Sequence, residues 1–415
     1  MNASARVPII LAIVFILFGS LGLYLYTGVS AAVVGFNPAF RHIALVAFWI
    51  PQAILIPALA LALISRKRSP GITKILGVSF ILVLVPGFLY GILLFLEDIF
   101  RFISAGLHWI IQSGSGFVIQ SRSPLYDQVT LLCSLLMMGV ILYGITRGKY
   151  RYKVHRIELS FPDLPKEFDG FSLTQISDVH AGSFGNRKEV LKAVELINTQ
   201  KSDVIFFTGD LVNNSAAEMI PWIEVFNKTD AHMGKYSILG NHDYGDYVSW
   251  PSPLHKEENL LRLGEVHEQI GFNLMKNENL RLEKGDAYIE LLGIENWGGG
   301  RFAKYGDLKK TMEGTNPESF KILLSHDPSH WEEQVVDGAD HIHLTLSGHT
   351  HGMQFGFEFK GLKFSPIQFR YPRWAGLYKK NERYLYVNRG FGFLGFPGRV
   401  GIWPEITVIT LKRGE

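Results

Sequence analysis

Five apolar runs in the later part of this 415-residue chain end on residues that can bind a metal or move a proton. FSLTQIS leads into Asp178-Val179-His180, and DVIFFTG into Asp210. KYSILG leads into Asn241-His242-Asp243, KILLS into His326, and HLTLSG into His349-Thr350-His351. One such ending is unremarkable. Five of them, all drawn from Asp, Asn and His, predict a metal centre, because ligand sites in open α/β sheets gather outside the carboxyl ends of the strands. Gly209, Gly240 and Gly348 each precede a candidate ligand, where the chain turns sharply and glycine permits the required backbone angles.

The candidates are Asp178, His180, Asp210, Asn241, His326, His349 and His351, more than a single ion of four to six ligands needs. Two divalent cations about 3.5–4 Å apart, sharing one carboxylate, use the set naturally. Residues two apart in an extended segment point to the same side, so His349 and His351 can each serve a different ion. Oxygen and imidazole ligands suit manganese, iron or zinc, of which manganese is the expected metal.

The ordered series D-x-H, G-D, G-N-H-D, a lone His and G-H-x-H resembles the calcineurin-like metallophosphoesterases, from about residue 171 to the carboxyl end. The ending VNRGFGFLGFPGRVGIWPEITVITL is similar to membrane-associated bacterial members. The resemblance implies a four-layer α/β/β/α sandwich. It implies that Asp210 bridges the ions, that Asp178, His180 and His351 complete one site, and that Asn241, His326 and His349 complete the other. It also assigns His242 to transition-state stabilisation or protonation of the leaving group, a task that suits imidazole. Two dications would polarise a phosphoryl oxygen and acidify a water, which then attacks phosphorus in line.

One departure stands out. Many relatives carry G-D-x-x-D, whose second acid can orient the catalytic histidine, but this chain has Gly209-Asp210-Leu211-Val212-Asn213. An amide can accept the same hydrogen bond without the charge, and the change argues against a serine/threonine protein phosphatase. His330, His341 and His343 lack the strand-end glycine context and are expected to be bystanders. Asp243 is expected to brace a turn.

The elements that must position these residues form an α/β domain over residues 151–415, where short apolar runs alternate with helical stretches. Residues 1–150 differ in kind, with ten basic residues against three acidic, whereas the remainder has 31 against 35. Four stretches, 7–26, 43–65, 72–96 and 129–146, approach the ~20 apolar residues that a membrane-spanning helix requires. Segment 97–112 reads either as an interfacial amphipathic helix or as an extension of the third span. No charge pairs are expected inside the spans, so transport is not expected. The basic stretches RKRSPGITK (66–74) and RGKYRYKVHR (147–156) place both chain ends in the cytoplasm by the positive-inside rule. The expected location is a bacterial inner membrane with the catalytic domain facing the cytoplasm. The first apolar run is long for a cleaved signal peptide.

A single cysteine, Cys133, excludes an intrachain disulfide and a thiolate metal site. The acidic domain has no basic–aromatic interleaving and does not suggest a nucleic-acid partner. The resemblance, taken with the membrane anchor, implies a phosphodiester or pyrophosphate of a lipid or lipid-linked nucleotide as substrate, since some membrane-associated members of the family cleave the lipid A precursor UDP-diacylglucosamine. Alternatives are a tethered hydrolase of soluble phosphodiesters and a non-catalytic scaffold. Oligomeric state is left open. Phe355, Phe357 and Phe359 alternate as in a strand burying one face, while FGFLGFPG reads as an exposed apolar loop. Arg301 or Lys304, in NWGGGRFAKYGD, is expected to offer charge to a phosphate.

Overall fold

The computed structural model describes residues 3–64, 70–112, 116–300 and 302–414. The chain divides into two compact units, Met1–Tyr143 and Gly144–Glu415.

The first unit holds α1 (Ala3–Ala32), α2 (Pro38–Ile64) and α3 (Pro70–Ile111), together with most of α4 (Pro124–Thr146). All four are long and apolar enough to cross a membrane. Pro51 and Pro57 lie within α2 and Pro86 within α3 without ending either helix. Segment 97–111 is a continuation of α3, whose 42 residues rise about 63 Å, well beyond the ~30 Å hydrocarbon core. The charges also gather more closely than the sequence suggests. Arg122 lies 3.0 Å from Glu97 and 3.8 Å from the buried Asp127, and the Tyr24 hydroxyl donates to Asp98 at 2.8 Å. The basic loop used for orientation lies partly outside the described residues, at 65–69.

The second unit begins with β1 (Lys153–Phe161) and β2 (Ser172–Ile176), followed by α5 (Arg187–Asn198). The Asn186 side chain caps α5 by accepting from the Glu189 N–H, and Val190, Ala193, Val194 and Ile197 form its buried stripe. β3 (Val204–Phe207), β4 (Lys235–Ser237), α6 (Pro253–Gln269) and β5 (Asn273–Leu274) come next. β6 (Glu278–Lys284), β7 (Ala287–Gly293), β8 (Lys321–Leu324) and β9 (Leu344–Ser347) follow, then β10 (Phe357–Phe359) and β11 (Leu362–Phe364). β12 (Gly376–Lys380), β13 (Arg383–Val387) and β14 (Glu405–Arg413) close the chain.

Two six-stranded sheets result, ordered β1-β14-β2-β3-β4-β5 and β12-β13-β9-β8-β7-β6. β2 to β5 run parallel in the first, and β7, β8, β9 and β13 in the second. Strand parity builds the layers. Val204 and Phe206 of β3 meet Ile322 and Leu324 of β8 in the core between the sheets. Ile205 and Phe207 face outward and are covered by Val190 and Val194 of α5 and Leu263 of α6. Leu323, Leu385 and Val387 form the outer face of the second sheet, covered by Trp331 and Val335. This is the expected mixed α/β sandwich, with a thin fourth layer built from short helical turns. Each such Leu, Ile, Val or Phe, fully buried, is worth about 1.5–3 kcal/mol.

Candidate metal centre

The parallel strands deliver their carboxyl ends to one place. Asp178, His180 and His351 present ligand atoms within 4.8 Å of one another, and so do Asp210, His326 and His349. The two groups meet at one oxygen. Asp210 Oδ2 is 3.5 Å from His180 Nε2 in the first group and 3.2 Å from His326 Nε2 in the second. The other oxygen, Oδ1, is taken up by the His242 N–H at 2.9 Å. Within the first group, His351 Nε2 lies 3.1 Å from Asp178 Oδ1 and 2.9 Å from His180 Nε2.

The backbone here is strained. Asp178, His180, Asp210, His349 and His351 have φ of 52°, 48°, 61°, 70° and 50°, left-handed angles that cost a non-glycine residue about 1–2 kcal/mol each. Cross-strand bonds hold them in place: Asp178 N–H to Gly209 carbonyl (2.9 Å), His180 N–H to Asp210 carbonyl (3.1 Å), and Gly392 N–H to Asp178 carbonyl (2.8 Å). Strain held this firmly typically marks a functional site.

The glycines act differently from the sequence expectation. Of Gly209, Gly240 and Gly348, only Gly209 has a positive φ, at 93°. A Cβ on Gly240 would lie 2.2 Å from Asp210 Oδ1, and one on Gly348 would lie 1.9 Å from Ser177 Oγ and 2.3 Å from Asp178 Oδ2. Gly240 and Gly348 are there for close approach rather than for a turn.

Hydrogen bonds fix several tautomers. His326 Nδ1 is 2.7 Å from the Thr208 carbonyl, which can only accept, so the ring donates there and turns Nε2 toward Asp210. That Nε2 is buried and, among the described residues, has no hydrogen-bond partner. The Tyr371 hydroxyl lies 2.9 Å from His349 Nε2, His349 Nδ1 lies 2.8 Å from Asn241 Oδ1, and the Asn241 amide donates to the Tyr247 hydroxyl at 2.8 Å. Arg399, fully buried, lies 3.3 Å from His351 Nδ1, while His351 Nε2 faces Asp178 and His180.

The charges ask for a cation. Asp178 and Asp210 are completely buried, which alone would raise them, yet the surrounding histidines hold both below the usual carboxylate range. Burial pushes His180 down to about 3 and also lowers His349. Burial would lower His326 too, but Asp210 draws it up to about 10. A carboxylate that makes an imidazole hold a proton across 3.2 Å asks for positive charge at that point, and a divalent cation of borderline hardness, taking the proton's place, fits the donor set.

His242 sits beside the first group, its ring centre 5.0 Å from that of His180. Nδ1 is 2.8 Å from the main-chain carbonyl of Asn213, which leaves Nε2 free to act. The sequence argument had the Asn213 side chain in that role. It hydrogen-bonds Ser183 instead, with Nδ2 donating to Oγ at 3.2 Å. Asp243 is a brace, accepting from the N–H groups of Asp210 (2.8 Å), Gly240 (2.9 Å), Leu211 (2.8 Å) and Val212 (3.2 Å).

Other expectations change. Lys304 pairs with Glu333 at 3.5 Å and lies over Trp297 at 4.1 Å, so it is engaged elsewhere, and Arg301 lies outside the described residues. The same insertion instead places the Phe302 ring 4.9 Å from that of His349. His330 and His343 are tied to Ser325 and Asp163, away from both groups, as bystanders should be. The sequence reading missed Asp327 and Tyr371. Asp327 follows His326 directly and was therefore findable, accepting from the Gly299 N–H at 2.8 Å and lying 3.9 Å from His349 Nε2. Tyr371 carries no such signal. FGFLGFPG, expected to be exposed, is core: Phe391 and Phe393 are fully buried, and Gly392 presses against Val179, whose carbonyl oxygen a Cβ would approach to 1.9 Å.

Residues 171–353 match the calcineurin-like phosphoesterase family, and residues 5–149 match the domain described as a probable calcineurin-like phosphoesterase transmembrane domain. A Bacillus subtilis metallophosphoesterase, YkuE, is 32% identical over 287 residues, covering 67% of this chain and 93% of the relative. A Danio rerio transmembrane protein with a metallophosphoesterase domain is 29% identical over 294 residues, covering 68% of this chain. The matched region spans 63% of that fish protein's length. The chain belongs to the calcineurin-like phosphoesterase family. Within it, the four apolar helices and the transmembrane match make it a membrane-associated metallophosphoesterase.

Proposed function

We propose that this protein hydrolyses a phosphodiester or pyrophosphate bond of a lipid or lipid-linked nucleotide at the cytoplasmic face of a bacterial cell membrane. The observation that carries the reading is the shared oxygen of Asp210, within 3.5 Å of a histidine in each group. Asp178, His180 and His351 would hold one divalent cation, Asn241, His326 and His349 a second, and Asp210 both. Manganese is the preferred metal, with iron and zinc compatible. Bound there, the cations would supply Lewis acidity to a phosphoryl oxygen and lower the pKa of a water.

The chain's own residues do the rest. Thr208 holds His326 in the tautomer that can ligate, and Asp243 fixes the turns carrying Asp210 and Asn241. His242, oriented through Nδ1 by the Asn213 carbonyl, presents Nε2 to the substrate and, when protonated, can donate to the departing oxygen. Domain boundaries at residues 150 and 151 would then separate anchor from hydrolase.

The full chain should turn over an aryl phosphodiester with manganese and lose that activity to a chelator. His242→Ala should lower kcat by about 10²–10⁴-fold, the usual contribution of general acid catalysis. Asp210→Asn should abolish turnover and reduce bound metal. A lipid extract incubated with wild-type protein and with Asp210→Asn should show a phosphorylated species that only the former consumes. Turnover no higher than that of His242→Ala would overturn the reading.

A further inference from the structure

The two-stranded ribbon of β10 and β11 is built inside out. Its register pairs Phe357 with Phe364, Glu358 with Lys363, and Phe359 with Leu362. Cross-strand partners share a face, so Phe357, Phe359, Leu362 and Phe364 lie on one side and Glu358 and Lys363 on the other. The polar side is the one fastened to the domain. Glu358 accepts from the buried Arg389 at 2.6 Å, and Lys363 donates to the Ala375 carbonyl and, at 3.1 Å, to the Tyr378 hydroxyl. The apolar side faces out, with Phe357 53%, Phe359 67% and Leu362 71% exposed. Phe369, 81% exposed, extends the patch, its ring 6.5 Å from that of Phe364. Burying these side chains would be favourable, and a soluble surface normally avoids such a cluster.

We infer that this ribbon docks onto a lipid bilayer. The chain already carries four helices long and apolar enough to span a membrane, so a bilayer is always within its reach. Aromatic side chains flanked by cations are the composition of an interfacial anchor. Lys360 caps the ribbon's turn beside Phe359, and the exposed Arg370 follows Phe369. A bilayer bearing anionic headgroups meets both the apolar face and the two charges. A second copy of the chain is the poorer occupant, since five side chains fall well short of the ~20–30 residues per partner in a stable protein interface. Phe369 is two residues from Tyr371, which touches His349, so docking would set the mouth of the candidate centre at the headgroup level.

The test uses the full chain in lipid nanodiscs containing phosphatidylglycerol, with Cys133→Ser and a single fluorescent label at Phe359→Cys. A control carries the label at Lys188→Cys on α5. Spin-labelled lipid should quench the ribbon label several-fold more than the control, and aqueous iodide several-fold less. The pair Phe357→Ser and Leu362→Ser should erase that difference while unchanged thermal unfolding shows the fold intact. Equal quenching at the two positions, or protection that appears only when nanodiscs hold two copies, would overturn the inference. No turnover is read, so an inactive protein would sink the hydrolase reading and leave this one standing.

Discussion

Five of the seven candidate ligands adopt left-handed backbone angles that only glycine enters freely. That strain is invisible in a sequence, yet the residue types were sufficient to assemble both groups, because motifs record side-chain chemistry. They do not record main-chain atoms. This is why the reading misplaced Asn213, which holds His242 through its carbonyl, an atom any residue would supply. Asn213→Ala should therefore keep His242 in place and lose only the bonds to Ser183, a cost of about 0.5–1.5 kcal/mol in stability. Denaturant unfolding and the pH–rate profile measure the two effects. A profile displaced as far as that of His242→Ala would show that the side chain, after all, orients the ring.

At the level of elements, strand identity was legible, most plainly at β3, which is buried on both faces and reads as a continuous apolar run. The aromatic segments were not. A two-residue alternation says which side chains share a face and is silent on whether that face is covered. For Phe357 and Phe359 the decision lies with Arg389, distant in sequence, which pulls Glu358 inward. FGFLGFPG reversed for the opposite reason, since its glycines admit close packing rather than looseness. The same distinction governs the end of β9. Gly348→Ala would drive a methyl into Ser177 and Asp178, forcing the His349–His351 segment away from β2. Overpacking of this kind costs about 1–3 kcal/mol, and the larger expected effect is on metal. Elemental analysis of the purified variant should show loss from the group containing Asp178 and His351, with part of the metal retained by the other. Full occupancy of both would show that the strand ends can move apart without losing the ligands.

For the whole molecule, the sequence divides by charge and hydropathy, and the structure divides into two compact units near the same point. What neither composition nor compactness fixes is the side of the membrane on which the phosphoesterase-family domain stands. The positive-inside bias supplies the argument. Arg66, Lys67 and Arg68 fall between α2 and α3 with Lys74 in the first turns of α3, and Arg147, Lys149, Arg151 and Lys153 follow α4, whereas the α1–α2 connection at 33–37 has no basic residue and the α3–α4 connection at 112–123 has only Arg122. Four crossings would return the chain to its starting side, so one bias would orient both ends. Inverting the topology would carry both basic clusters across the bilayer, and a Lys or Arg at the centre of a helix already costs about 2.5–3.5 kcal/mol to insert. In a Cys133→Ser background, a cysteine at Gly35 should react with a membrane-impermeant maleimide on intact cells. One at Lys412 should react only after lysis, and green fluorescent protein fused after Glu415 should fluoresce. Labelling of Lys412→Cys on intact cells would place the catalytic domain outside and remove cytoplasmic lipids and nucleotides from its reach.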